Sequence, residues 1–232
     1  MDAVHMEKAM RPREHLVPPD PIVVPAPARS TYRHGDLYRA LLDAGIELAR
    51  AGGPDAVVLR EATRRAGVVP NAAYRHFASR QELLQAVRAA AVSAVAVAME
   101  AELDKVPRRL KGAAAARAAL RAVGTGYMRF ALAETGLFRM AFVAPEKIDI
   151  THEEAKTGNT GLDPFQLLGA ALDQMVEAGV LTPERRPGAE FLAWGAVHGL
   201  AMLTIDGPLR GIPAVQAEAM GQRLLDMVEK GI

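Results

Sequence analysis

Between Leu59 and Phe77 the chain reads LREATRRAGVVPNAAYRHF, and few folds accommodate that order of residues. A charged amphipathic segment, Leu59 to Ala66, runs into Gly67, and a second short helix can start at Pro70. Gly67 tolerates the left-handed backbone that ends a helix, and Pro70 suits a first helical position, where a missing N–H costs nothing. The pattern predicts a helix-turn-helix. In its second segment Val68, Ala73 and Phe77 are spaced for burial, which leaves Pro70, Asn71, Ala72, Tyr74, Arg75 and His76 facing outward. Small, amide, aromatic and basic groups on one short exposed helix suit a reader of a DNA groove.

Charge follows the same division. From Arg29 to Arg80 nine Arg face five Asp or Glu, a surplus of +4, whereas sixteen basic and eighteen acidic residues after Arg80 leave −2. Phosphate binding requires the surplus where it sits, on the motif. The apolar positions Leu37, Leu41, Leu42, Ile46, Leu48 and Ala49 predict a helix over 32–50 that braces the motif, stopped by Gly52-Gly53-Pro54. Arg33 and His34 at its start have two readings, a phosphate contact or a solvated helix end. After the motif, Ser79-Arg80-Gln81-Glu82 has the form of a capping box, with Ser79 capping and Glu82 reaching back. The helix it opens continues to about Lys105.

These residues resemble the TetR family of transcriptional regulators. The resemblance runs from Thr31 to about Val87 and rests on Tyr32 to Leu37, Leu59 to Val68, Ala73 to Phe77 and Arg80 to Leu83, in order and at the family spacing. It implies an N-terminal three-helix DNA-binding domain over 31–78 and a helical ligand-binding and dimerisation domain over 79–232. Arg80 resembles the family's basic phosphate contact. Phe191 to Leu203, with Trp194, His198 and Gly199, resembles the Trp-His-Gly signature of one subgroup's C-terminal domain. Two positions depart from the family pattern: Val58 and Val69 stand where Thr and Ser usually cap the two motif helices, at about 0.5 to 2 kcal/mol per lost cap.

The rest of the chain reads as helices, with no strand signal of weight, so an all-α fold of about nine helices is expected. Helices are predicted over 108–134, 136–143, 164–178, 188–206 and 213–229, with Asp163 capping the third and a polar loop over 144–161. Gly124-Thr125-Gly126 lacks the third glycine and the strand of a dinucleotide site and reads as helix packing or a kink. Gly195 and Gly199 stand four apart on a smooth stripe, and the family resemblance implies a homodimer through the last two helices.

Residues 1–30 hold six of the fifteen prolines and are expected to form a disordered arm. Arg11, Arg13 and Arg29 give it a possible reach into a minor groove, while Asp2, Glu7, Glu14 and Asp20 cancel much of the attraction. The absence of cysteine excludes disulfides and thiol chemistry. No signal peptide is visible, and the longest uncharged apolar run, Phe191 to Ile205, falls short of the ~20 residues of a membrane span, so a cytoplasmic protein without membrane contact is expected. His152-Glu153-Glu154 invites a metal, but Lys156 breaks any HExxH pattern. No metal and no cofactor are expected.

Three functions compete. A ligand-responsive regulator would use Asn71 and Arg60 on base edges, Tyr74, His76 and Arg80 on phosphates of a double-stranded operator, and Pro70, Ala72 and Arg75 around them. Its unknown small-molecule effector would lie among Phe130, Phe138, Phe142, Phe165, Met175, Trp194 and Met202, with His198 as a polar contact or simply a structural hydrogen bond. An enzyme built on Trp194 and His198 lacks every familiar catalytic motif. A helical interaction module without DNA binding is the third.

Overall fold

Helical periodicity becomes nine α-helices among the described residues, and no strand. The computed structural model describes residues 34–142 and 154–232. The proline-rich arm, Arg33, His152 and Glu153 lie outside the described residues, as do the side chains of His34 and Glu154. The described residues form one compact unit.

Helix α1 (His34–Gly52) packs on α2 (Leu59–Arg65) and α4 (Arg80–Leu103), with the single turn α3 (Pro70–Ala73) between them. Leu41, Leu48, Leu59, Ala62, Ala73, Phe77 and Leu83 form the buried centre of this head. Helices α5 (Gly112–Ala133), α6 (Thr135–Phe142), α7 (Pro164–Glu177), α8 (Ala189–Ile205) and α9 (Ala214–Gly231) build the body. The motif's second helix is shorter than expected. After Ala73 the amides of Arg75 and His76 bond back three residues rather than four, to Ala72 and Ala73, so Tyr74-Arg75-His76 forms a tight turn.

Helix α4 joins head and body, packing against α1, α5, α6 and α7. By length and composition it could cross a bilayer, unlike any other described helix, but one face of it packs into the core, with Leu83, Val87, Ala91, Val95 and Met99 buried. Its N-terminal cap forms slightly displaced from the expected box. Ser79 accepts from the Glu82 amide at 3.2 Å, while the Glu82 carboxylate reaches back to the Ala78 amide at 2.8 Å. Gly124-Thr125-Gly126 serves packing. A Cβ at Gly126 would lie 2.6 Å from the α4 backbone, and one at Gly124 would collide with Leu225 of α9. Helix α9 is also tied to α5 by ion pairs, Arg117 to Glu229 at 2.7 Å, Arg121 to Asp226, and Arg129 to Glu218 at 2.8 Å.

Candidate nucleic-acid interface and C-terminal polar cluster

The outward face of the motif depends on how few residues hold it from below. Gly67 adopts the left-handed conformation, with φ of 67°, and turns the chain from α2 toward α3. Ala73 and Phe77 are buried, and Tyr38 of α1 stacks on the Phe77 ring at 4.9 Å. Val68 is only half-buried. The turn they anchor presents Pro70, Asn71, Tyr74 and Arg75 to solvent, with Ala72 and His76 half-exposed beside them, and Tyr74 is 57 % exposed. Val58 and Val69 provide no side-chain cap, as their chemistry requires.

The cations of the head are not equivalent. Glu61 accepts from Arg64 at 2.7 and 2.9 Å and from Arg65 at 3.2 Å, and these bonds hold its carboxyl down to about 2. Glu61 thereby pairs with two of the three Arg of α2. Arg80 is engaged too, donating from Nε to the Val57 carbonyl at 2.7 Å and from Nη2 to the Pro54 carbonyl at 3.0 Å. It braces the loop before α2, so any phosphate contact must use its remaining N–H groups. Arg60 and Arg75 are exposed and have no ion-pair partner among the described residues. Sequence reasoning grouped these guanidinium groups as DNA contacts but could not distinguish the unpaired ones from the engaged ones.

In the body, α5 brings a residue to the site that the sequence reading passed over. The Tyr127 hydroxyl accepts from Trp194 Nε1 at 3.1 Å and lies 2.7 Å from His198 Nδ1. With its oxygen occupied by Trp194, the hydroxyl satisfies all three groups by donating its proton to Nδ1, which leaves the neutral imidazole protonated at Nε2. Burial pushes the Tyr127 hydroxyl well above its ordinary value and lowers the His198 imidazole. Both therefore stay neutral near pH 7. The available signal was that Tyr127 continues the buried stripe Ala116, Leu120, Val123, where a hydroxyl needs a partner.

Five of the sequence-selected effector residues come together. Phe142 packs on Phe138 at 4.8 Å and on His198 at 5.1 Å, and Phe165 packs on Trp194 at 6.2 Å. Phe138 and Met175 are fully buried. Phe130, Met175 and Met202 belong to the surrounding hydrophobic core, and Phe130 makes no ring contact with this cluster among the described residues. A groove of about 440 Å³ opens elsewhere, between α5 and α9, lined by Met128, Leu132, Ala217, Gly221 and Leu225 among others, and none of the sequence-selected residues reaches it. No cluster of acidic, histidine or cysteine side chains suited to a metal occurs among the described residues.

Two family models match this arrangement. Residues 41–87, the head, match the model described as bacterial regulatory proteins of the tetR family, and residues 120–228, most of the body, match the tetracyclin repressor-like C-terminal domain. Neither match assigns the Trp-His-Gly subgroup. No curated protein sequence matches the chain. Among solved structures, a protein of unknown function from a Rhodococcus species is similar at 26 % identity and a TM-score of 0.68, covering 88 % of this chain and 98 % of that one. The regulator FadR from Bacillus subtilis, solved with stearoyl-CoA, shares the fold at 14 % identity and a TM-score of 0.61, covering 84 % and 99 %. The TetR-family regulator PfmR from Thermus thermophilus does so at 19 % identity and a TM-score of 0.53, covering 83 % and 98 %. With one match on the helix-turn-helix head and the other on the helical body, the chain belongs to the TetR family of transcriptional regulators.

Proposed function

We propose that the protein is a cytoplasmic, homodimeric repressor that binds a palindromic operator and releases it when a small, largely apolar effector enters the C-terminal body. The observation that carries this reading is the exposed turn Pro70–His76, anchored by buried Ala73 and Phe77, with Arg75 within it and Arg60 at the start of α2 both exposed. Asn71 offers a two-sided amide to an adenine edge, and Arg60 a guanine contact. Tyr74, His76 and the uncommitted donors of Arg80 reach phosphate, with Pro70, Ala72 and Arg75 completing the contact surface.

One such turn per protomer buries too little specific surface, which calls for two-fold symmetry and inverted half-sites. Helix α8 supplies a matching face. It is apolar on nearly every side, yet Phe191, Leu192 and Leu203 stay exposed at 63 %, 67 % and 44 %. Met227 of α9 is exposed as well. An apolar face of this kind fits the same face of a second copy in a four-helix contact.

The effector reading rests on His198. Its Nε2–H has no hydrogen-bond partner among the described residues, and its ring packs on Phe138, Phe142 and Trp194, with Phe165 on the Trp194 ring and Phe130, Met175 and Met202 in the surrounding core. FadR was solved with stearoyl-CoA, which makes a fatty acyl thioester a sensible first probe. Release requires tighter binding to the DNA-incompetent arrangement, and typical coupling of ~1 to 3 kcal/mol corresponds to roughly a 5- to 150-fold loss of operator affinity. The test is anisotropy titration of DNA from the region upstream of the protein's own coding sequence, repeated with thermal-shift hits and stearoyl-CoA. Specific binding weakened by a hit supports the reading, and hits that stabilise the protein without altering DNA affinity remove the effector half of it.

A further inference from the structure

Near the C-terminal end of α4 a carboxylate is buried without a cation beside it. Glu100 is 5 % exposed, and no basic side chain pairs with it among the described residues. Its charge is met by the chain that leads into α7. The amides of Asn159 and Thr160 donate to it at 2.8 Å each, and the Thr160 hydroxyl donates at 2.6 Å. Burial would raise this carboxyl, but those bonds together hold it below its ordinary value. Gly158 lies directly against the carboxylate, where a Cβ would sit 2.5 to 2.6 Å from it and displace it. Two helical turns earlier, the Ser93 hydroxyl donates to the Thr157 carbonyl at 2.6 Å.

The stitched segment is short and directly connected. It closes through the Gly158 amide on the Leu162 carbonyl at 2.9 Å and passes at once to the Asp163 cap of α7. Helix α7 carries Phe165, which packs on Phe191 at 5.4 Å and on Trp194. At the other end of α4, Arg80 is fastened to the loop before α2. Twenty residues at about 1.5 Å each separate the two fastenings by about 30 Å along a continuous helix.

We propose that Glu100 is a positioning residue whose clamp on Asn159 and Thr160 transmits movement of α7 through α4 to the Arg80 brace and the DNA-reading turn. A small slide would leave a buried carboxylate short of donors, which costs more than full engagement or full release into water. The inference relies on the operator-binding reading for its use, but the mechanical link exists without DNA.

Hydrogen exchange of the full-length protein, read by mass spectrometry, tests it. Glu100→Gln keeps the volume but turns an amide NH2 toward a backbone N–H. Expected are at least tenfold faster exchange over 158–162 and at least threefold faster exchange over 54–58 and 78–82, with α9 unchanged. Operator affinity should shift at least fivefold. Should Glu100→Gln fail to fold, Thr160→Ala removes a single donor and must give the same pattern at smaller amplitude. Faster exchange confined to 158–162, a uniform increase throughout the protein, or a far-end response with operator affinity unchanged within twofold would each overturn the clamp. Wild-type protein that binds no DNA sinks the repressor reading alone, and exchange at 54–58 and 78–82 still decides whether the clamp transmits.

Discussion

Tyr127 of α5 and His198 of α8 share a hydrogen bond of 2.7 Å, with the only Trp of the chain, Trp194, donating to the same hydroxyl. One oxygen thereby satisfies two polar groups inside an aromatic cluster. Tyr127→Phe leaves both without their partner, and each such loss typically costs about 1 to 3 kcal/mol when the group is buried. Because Trp194 and His198 are only partly buried, the lower end applies. Thermal denaturation should show a lower midpoint, and the Trp194 emission should shift. An unchanged midpoint and spectrum would mean that water replaces the hydroxyl.

The same pair predicts a pH dependence. Burial lowers the His198 imidazole below its ordinary 6.5, so the unfolded chain binds this proton before the folded one does. The contribution of His198 to stability is complete above about pH 6.5 and declines as the pH falls toward the folded value. Urea unfolding of wild type and His198→Gln between pH 7.5 and pH 5, values chosen to bracket about 6.5, should therefore converge at low pH. Parallel curves would contradict the assignment.

Arg75 and Arg80 should separate binding from bracing. Arg75 is exposed and unpaired among the described residues, whereas Arg80 holds two carbonyls of the loop before α2. Arg75→Ala should weaken all DNA sequences and reduce the salt slope by about one phosphate contact, with little loss of stability. Arg80→Ala should lower stability by about 1 kcal/mol in addition to any effect on DNA. A salt series of anisotropy titrations beside thermal denaturation distinguishes the two, and identical behaviour of the two variants would refute the distinction.

Local signals made most of this fold legible. Periodic apolar residues gave the helices, Gly67 and Pro70 gave the turn, and Ser79 and Asp163 gave their caps, each within four residues of its partner. What was hidden lies at long range. Glu100 finds its donors about 60 residues away, and Arg80 finds its acceptors 23 and 26 residues back, so no local pattern could reveal either. Sequence spacing placed Phe142, Trp194 and His198 on apolar faces but could not show that these rings pack against one another. The length of α3 was overestimated because Tyr74 to His76 look equally suited to a helix and to a tight turn.

Gly199 tests the proposed dimer cleanly. A Cβ built there meets nothing within 4 Å in the protomer, and Gly195 is equally open. Gly199→Leu should therefore fold normally while holding a second α8 away. Sedimentation at low micromolar concentration should show a monomer with unchanged helical content, and a dimer would show that the interface lies elsewhere.

The most direct measurement of the central claim is base discrimination by Asn71, read by competition anisotropy at one fixed salt concentration. Wild-type protein should bind one palindromic site from its own upstream region at least about a thousandfold more tightly than scrambled DNA. Asn71→Ala should lose about 1 to 3 kcal/mol of preference at one position in each half-site, while its affinity for scrambled DNA stays the same. Equal affinity of the wild-type protein for both DNAs, or an Asn71→Ala variant with unaltered preference at every position, would contradict the account.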